Sequence, residues 1–306
     1  MKVALCFMIS YDHCVNKEKI WTDWIEPNKD IINVYFHYKD YNKITSSWIK
    51  SHAIPSIHIK PTSYYSVVSA YLSLLFYAYR SDETNTWFCM LTESCVPIIS
   101  PENFRKLFFT HYLASIIKCK PAYWNIDIHR RANLRCLSKR YHLANDPWFT
   151  LTRSHIKKCI LFMKTKSDIF QTVNSGGLAN ESLFAIILQT YGELEVGQSS
   201  KHLINEPSNI CDWSRMPTPT SPYTFSDARD ENIQIIYNLL QKNKYVMFLR
   251  KVSPDFPDNV IKDIMYIDFH HKYTDNYHEN TIPHMKNIGN IICILLFGLF
   301  IYYLRS

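Results

Sequence analysis

Apolar segments alternate with amphipathic ones along the first half of the chain. Residues 1–9, 31–37 and 86–91 are short runs rich in apolar side chains, as buried strands are. Residues 64–80 carry apolar side chains at helical spacing, and residues 103–117 do so after a proline-punctuated loop. This alternation predicts an α/β fold with a mostly parallel sheet flanked by helices, in which ligands bind beyond the carboxyl ends of the strands.

The second half of the chain is less regular. Residues 201–230 contain four prolines and are predicted to form a long loop. A helix is predicted over 230–242 and a strand over 245–249, and no internal repeat is visible. The simplest organisation is one domain, residues 1–269, followed by a polar, His-rich linker at 270–287.

The last apolar run, residues 288–304, has the character of a membrane span. Lys286 and Arg305 bracket it, and Tyr302 and Tyr303 suit a membrane interface. We expect a transmembrane helix rather than a buried core helix, because no later chain could cover it. The expectation is therefore a single-pass membrane protein that is anchored in the lipid bilayer at its C-terminus, with its soluble domain in the cytosol.

Composition and charge narrow the class of protein. Hydrophobic residues make up 47% of the sequence and charged residues 20%, which is the balance of a globular domain. The formal net charge of +7 fits an anionic ligand or a nearby anionic membrane surface. No nucleic-acid recognition motif accompanies it, so no nucleic-acid partner is predicted.

The nine cysteines do not form a metal or redox motif. None belongs to a Cys-x-x-Cys pair, which excludes zinc ribbons and thioredoxin-like motifs. Their scatter through hydrophobic segments predicts buried free thiols in a reducing compartment.

Several other motifs are also absent. The sequence contains no G-x-G-x-x-G, no P-loop and no H-E-x-x-H, and no Asp-x-Asp that could clamp a metal on a nucleotide-sugar diphosphate. The cluster of Asp268, His270, His271 and His278 could bind a metal, but its spacing fits no standard site. We prefer to interpret the cluster as part of a solvated linker, and no metal or other cofactor is predicted.

Eight short segments follow one another along the chain, and the ordered set is a more specific signal than any single segment. They are the opening strand at 3–9, Val-Tyr-Phe-His-Tyr-Lys at 34–39, the helix at 63–78 with its Ser-Val-Val-Ser-Ala, Phe-Cys-Met-Leu-Thr-Glu-Ser-Cys-Val-Pro at 88–97, Trp-Phe-Thr-Leu-Thr-Arg at 148–153, Asn-Glu-Ser-Leu-Phe at 180–184, Asp-Trp-Ser at 212–214 and Phe-Leu-Arg-Lys at 248–251. In this order they resemble the motifs of the Core-2/I-branching β-1,6-N-acetylglucosaminyltransferases, glycosyltransferase family 14. The resemblance extends to the divergent homologues carried by large DNA viruses.

The resemblance implies a fold and a reaction. It implies a GT-A (Rossmann-like) domain that transfers a sugar from a UDP-sugar to a glycan or protein acceptor with inversion at the anomeric carbon. It also implies no metal requirement, which fits the missing Asp-x-Asp. N-acetylglucosamine is the donor sugar that the family suggests, with xylose as a near alternative.

The resemblance also implies roles for individual residues. An inverting transfer needs a carboxylate to deprotonate the acceptor hydroxyl, and by resemblance that base is Glu181; the alternative is a glutamate favoured by a helix start. Without a metal, fixed cations must stabilise the leaving diphosphate, and Arg250 and Lys251 are the candidates, with a solvated strand end as the alternative.

The remaining motif positions are assigned in the same way. The donor positions are His37 and Lys39, and the acceptor positions are Glu93, Ser94, Trp148, Asp212 and Trp213. The alternatives are a solvated strand end for the donor pair, a turn for Glu93 and Ser94, and an ordinary core position for Trp148.

The chain departs from the family pattern at two points of its site and in its anchor. Ala-Asn-Asp-Pro at 144–147 replaces the usual Lys-Gly-Ser-Gln, and Asn180 replaces the acid before the base. Cellular members carry an N-terminal anchor and face the Golgi lumen, whereas this chain has its apolar run at the other end. These departures favour a second hypothesis, a non-catalytic glycosyltransferase-like domain that serves as a membrane-tethered interaction or structural protein.

Overall fold

Eleven strands and nine α-helices occur within residues 1–194, 201–218 and 220–267, the part of the chain that the computed structural model describes. The strands are β1 (Lys2–Met8), β2 (Ile32–His37), β3 (Asn85–Thr92), β4 (Val96–Pro97), β5 (Ser115–Ile116), β6 (Cys119–Pro121), β7 (Leu143–Asn145), β8 (Thr150–Thr152), β9 (Leu203–Ile204), β10 (Asn209–Cys211) and β11 (Phe248–Arg250). The helices are α1 (Glu18–Ile25), α2 (Ser47–His52), α3 (Val68–Ser81), α4 (Pro101–His111), α5 (Arg153–Thr165), α6 (Ser167–Asn174), α7 (Leu183–Thr190), α8 (Asp230–Lys242) and α9 (Asp258–Tyr266).

The central sheet is mixed but mostly parallel. Its strand order is β2-β1-β3-β8-β5-β9. β1 pairs in parallel with both β2 and β3, and β5 pairs in parallel with β9. β8 runs antiparallel to both of its neighbours. The predicted α/β class, with a mostly parallel sheet flanked by helices, is therefore confirmed, and it fits a GT-A-like domain.

Strand β1 is buried on both of its faces. Ala4, Cys6 and Met8 belong to the hydrophobic core that α3, α5 and α7 share with the sheet. On the opposite face the ring of Phe7 packs edge-on against Trp21 of α1, with ring centroids 4.9 Å apart. Burial on two sides explains why this strand appears in the sequence as a continuous apolar run.

Two smaller sheets extend the domain. β10, β11 and β4 form one of them, in which β11 lies parallel to β10 and antiparallel to β4. β6 and β7 pair antiparallel and form the base of a hairpin. We call residues 118–146, which comprise this hairpin and the long connection between its strands, the hairpin arm.

Several element boundaries differ from the prediction. The helix expected over 103–117 ends at His111, because the chain turns there and continues into β5, where Ser115 donates its backbone N–H to His202 O at 2.8 Å. The helix expected over 64–80 begins at Val68. The loop expected over 201–230 contains β9 and β10, two strands too short to leave a pattern in the sequence.

The buried ammonium of Lys17 ties the start of α1 to the region before α9. Its Nζ donates to Pro254 O at 2.6 Å, to Phe256 O at 2.5 Å and to Asp258 Oδ1 at 2.7 Å. An ammonium has three protons to donate, so these contacts use all of them. The two ends of the described domain are held together by this side chain.

The membrane prediction falls on residues that the structure does not describe. Within the described ranges no helix is long and apolar enough to cross a bilayer. The segment 288–304, the linker 270–287 and the His-rich cluster lie outside those ranges. The eight described cysteines are all free thiols, as predicted, although Cys14 and Cys136 are exposed.

Candidate functional site

The carboxyl ends of β1, β2 and β3 meet at one edge of the sheet, as their parallel pairing requires. The segments that follow are joined there by backbone contacts. Asn16 donates its N–H to Glu93 O at 2.9 Å and its side-chain amide to Val252 O at 2.7 Å. Val252 in turn donates its N–H to Ser94 O at 2.9 Å. The turn after β3 and the segment after β11 therefore form one continuous wall.

Arg250, the last residue of β11, lies against this wall. Its Nε donates to Thr92 Oγ1 at 2.9 Å, and its guanidinium lies 3.7 Å from the centroid of the Trp148 ring. Within the described residues Arg250 has no carboxylate partner, so its charge is not neutralised by an ion pair. A stacked, oriented guanidinium of this kind is suited to bidentate contact with phosphate oxygens.

Lys251 adds a second cation beside Arg250. It is half-buried, and its Nζ donates to Ser221 Oγ at 2.6 Å. Burial lowers the pKa of Lys251 below its ordinary value, the neighbouring charge of Arg250 lowers it further, and Glu93 opposes both effects. Two adjacent cations favour the binding of an anion between them.

Glu181 ends a short 3-10 turn, Ala179–Glu181, immediately before α7. The turn is fixed by Leu178, which has a left-handed backbone with φ of 55° and donates its N–H to Tyr65 O at 2.9 Å. The Glu181 side chain is 22% exposed, so it is shielded from bulk water yet still open to a ligand. The turn thus presents a partly exposed carboxylate just before α7.

Three charged neighbours act on that carboxylate. Burial raises the pKa of Glu181; Arg131 and Lys120 oppose the rise, and the negative charge of Asp146 adds to it. Arg131 Nη1 lies 3.6 Å from Glu181 Oε2. Burial also raises the pKa of Asp146, whose carboxylate accepts no hydrogen bond from the described residues. Glu181 therefore lies in a setting that increases its affinity for a proton, as a general base requires.

Asn145 clamps the turn that carries Glu181. Its Nδ2 donates to Asn180 O at 2.9 Å, and its Oδ1 accepts from Ala185 N at 3.1 Å. These contacts bracket Glu181 on both sides. Asn145 and Asp146 belong to the segment where the chain departs from the family pattern, which was the signal that could have drawn attention to them.

The charges of three predicted site residues act on a buried tyrosine. Burial raises the pKa of Tyr71 on α3; the charge of Arg250 opposes this rise, while Glu93 and Glu181 reinforce it. Arg250 contacts the Trp148 ring and precedes Lys251, and Glu93 and Ser94 belong to the wall beside them. Glu181 is related to this group through its effect on Tyr71, and its role as the base stays a prediction.

The other predicted residues are engaged in different contacts. The imidazole of His37 is buried and its Nε2 accepts the Lys60 N–H at 3.0 Å, while burial lowers its pKa to about 4. Lys39 donates to Thr62 O at 3.1 Å and lies 3.7 Å from the centroid of the Tyr11 ring. Both therefore shape the loops after β2, and a contact with the nucleotide stays a prediction.

Asp212 and Trp213 differ in how accessible their side chains are to a ligand. The Asp212 carboxylate accepts from Ser214 Oγ at 2.6 Å and Arg215 Nε at 2.7 Å. Burial alone would raise the pKa of Asp212, but these contacts hold it below its ordinary value. Trp213 is 45% exposed, so its ring is free to pack against a sugar.

No group of three or more His, Cys, Asp or Glu side chains suited to a metal occurs in the described part of the chain.

Comparison with known proteins identifies the family. A family model described as Core-2/I-Branching enzyme matches residues 5–237, a range that includes Glu181 and ends before Arg250 and Lys251. No individual curated protein matches the sequence. Because the match spans most of the chain, the chain belongs to the Core-2/I-branching family of glycosyltransferases.

Proposed function

We propose that this protein is an inverting glycosyltransferase that moves a sugar, N-acetylglucosamine by family precedent, from a UDP-sugar to a glycan acceptor. The observation that carries the proposal is a stacked cation, Arg250, that has no carboxylate partner in the described residues and stands beside Lys251, as a diphosphate site requires. Glu181, a partly buried carboxylate, is the proposed base, and its charge and that of Arg250 both act on the buried Tyr71 hydroxyl.

The proposed step needs only these groups. The acceptor hydroxyl attacks the anomeric carbon as its proton passes to Glu181. The bond between that carbon and the β-phosphate oxygen breaks, and UDP departs with the electron pair. Arg250 and Lys251 stabilise the charge that develops on the diphosphate, so we propose that no metal is required.

Glu93, Ser94, Trp148 and Trp213 line the acceptor side in this proposal. Trp148 is held by Arg250 at 3.7 Å, which couples the acceptor wall to the diphosphate site. Trp213, being exposed, is the better candidate for stacking on a sugar ring. Asp212 acts through Arg215 and Ser214, which occupy its carboxylate.

The experiment is a UDP-release assay on the full-length chain in detergent, with a panel of UDP-sugars, with and without EDTA. We expect turnover that survives EDTA and falls by about a hundredfold to ten-thousandfold in Glu181→Gln, the range for loss of a general base. Glu83→Gln is the matched control, because Glu83 is exposed and precedes β3 at the opposite edge of the sheet.

Two observations favour the non-catalytic alternative. The ion pair with Arg131 reduces the basicity of Glu181, and Asn180 lacks the charge that the family usually has beside the base. UDP binding without turnover of any sugar would select that alternative. A chain that binds no UDP would contradict both the mechanism and the donor site.

The membrane anchor at 288–304 and the cytosolic location are also proposed, on the sequence pattern alone. Alkaline extraction of membranes from expressing cells tests the anchor. Release of the full-length chain into the supernatant would contradict it.

A further inference from the structure

The hairpin arm carries most of the excess positive charge of the chain. Between Lys118 and Asp146 there are seven Lys or Arg residues and two Asp residues, a net charge of +5 out of the +7 of the whole sequence. The seven cations are Lys118, Lys120, Arg130, Arg131, Arg135, Lys139 and Arg140. The rest of the chain is therefore almost balanced, and the charge is local rather than diffuse.

Most of these cations have no anionic partner. Within the described residues, the arm's single ion pair with a carboxylate joins Arg131 to Glu181. Five others are exposed, and two of the five contact tyrosine rings instead of acids. The exposed five are Lys120, Arg130, Arg135, Lys139 and Arg140. Such a patch attracts an anionic ligand.

The arm is joined directly to the turn that carries the proposed base. Ala132 donates its N–H to Gly177 O at 2.9 Å, and Arg131 pairs with Gly177 as an isolated bridge. Lys120 lies close enough to Glu181 for its charge to lower the pKa of that carboxyl. A ligand that lay along the arm would therefore reach Glu181.

The arm also contains a hydrogen-bond donor without an acceptor. The indole Nε1–H of Trp124 is buried and has no partner in the described residues. The guanidinium of Arg131 lies 5.1 Å from the centroid of the same ring. A buried N–H without a partner costs free energy, which marks Trp124 as an unsatisfied position next to the cation of Arg131. Nearby, Tyr123 is 69% exposed, which leaves its ring open to the face of a sugar.

We propose that the hairpin arm binds an anionic glycan, one that carries carboxylate or sulfate groups, and presents its hydroxyl to Glu181. This rests on the proposed function and names the class of acceptor. A lipid surface could use the exposed cations, but it could not present a hydroxyl to Glu181, whose side chain is only 22% exposed, so the glycan is the ligand that the geometry favours.

The test compares sialyllactose, sulfated lactose and neutral lactose as ligands and acceptors for the full-length chain in detergent. The arm variant combines Arg130→Gln, Arg135→Gln and Lys139→Gln. The control variant combines Lys157→Gln, Lys164→Gln and Lys166→Gln, three exposed lysines of α5 and its C-terminal end, and so removes the same charge elsewhere.

We expect the wild type to bind one or both acidic sugars more tightly than lactose. The affinity of the arm variant for the acidic sugar should be about tenfold lower than that of the wild type, since exposed charge pairs contribute modestly. The control variant should stay within about twofold of the wild type, by the same principle. Tighter binding of sialyllactose would show that the arm recognises a carboxylate, and tighter binding of sulfated lactose would show that it recognises a sulfate. UDP binding should be unchanged in both variants.

Three outcomes would overturn the proposal. One is equal binding of acidic and neutral sugars by the wild type. Another is equal loss in the arm and control variants, which would reflect bulk charge. The third is loss of binding to phosphatidylserine vesicles in the arm variant with no change in sugar binding. If the proposed donor site is wrong, the wild type will not bind UDP, and this result does not depend on the comparison of sugars.

Discussion

Glu181 has two neighbours that act on its carboxyl in opposite directions. The negative charge of Asp146 raises the pKa of Glu181, while Arg131 lowers it across a contact of 3.6 Å. A general base works only when it is deprotonated, so activity should rise with pH as Glu181 loses its proton.

This predicts opposite shifts in two charge-neutralising variants. Asp146→Asn removes a charge that raises the pKa of Glu181, so the acidic limb of the pH profile should move to lower pH. Arg131→Gln removes a charge that lowers this pKa, so the limb should move to higher pH. The measurement is kcat/KM against pH for wild type and both variants. Shifts in the same direction, or none, would show that Glu181 does not control this limb.

At the residue scale, the sequence singles out groups that stand in motifs but not their partners. Glu181 and Arg250 were proposed as site residues because each occupies an ordered motif position. Arg131 and Asp146 were not, because their proximity to Glu181 depends on how the hairpin arm folds back onto the chain. The second contact of Asn145, with Ala185, likewise spans 40 positions in sequence.

At the scale of elements, the hairpin arm and the end of α6 touch through backbone at Gly176. A Cβ at this position would lie 2.6 Å from Asn133 N and 2.7 Å from Ala132 Cα, closer than real Cβ atoms approach. The next residue, Gly177, has room: its Cβ would lie 3.8 Å from the Tyr65 side chain. Only Gly176 has to be a glycine, because only there does the backbone of the hairpin arm leave no room for a Cβ.

The two glycines therefore make a matched pair. Gly176→Ala should lower the free energy of unfolding by about 1–3 kcal/mol and reduce turnover, because the arm must shift away from the turn of Glu181. Gly177→Ala should change stability by less than about 1 kcal/mol. Urea unfolding and the UDP-release assay measure both. Equal effects of the two substitutions would contradict the argument from close contact.

Long elements were predictable and very short ones were not. The helix predicted over 230–242 is confirmed as α8, and the strands β1, β2 and β3 lie within a residue or two of their predicted bounds. β5, β9 and β10 have two or three residues each, too few to show a period of two. These strands form because they pair with strands that are distant in the sequence, so the local sequence does not predict them.

At the scale of the whole molecule, two buried histidines should make stability depend on pH. Burial lowers the pKa of His37 and of His155 to about 4 each, and Glu193 opposes the effect at His155. His155 also joins α5 to β5 through a contact of 2.6 Å between its Nδ1 and Ser115 Oγ. In the unfolded chain both imidazoles protonate near pH 6.5, the ordinary value for histidine.

Because the unfolded state binds the protons more readily, stability should be full above about pH 6.5 and fall as pH drops towards about 4. Each histidine should contribute up to about 3 kcal/mol to the loss. Urea unfolding at several pH values measures it. His155→Asn should flatten the dependence, and His129→Asn, at an exposed position, should not. An unchanged slope in His155→Asn would contradict the assignment.

The contacts of Lys17 have a consequence for how this domain can be shortened. The family match stops at residue 237, and a truncation there would remove β11, Arg250, Lys251 and every acceptor of the Lys17 ammonium. Removing the partners of a buried charge costs several kcal/mol. The smallest autonomous unit therefore extends through α9, about thirty residues past the boundary that similarity alone would draw.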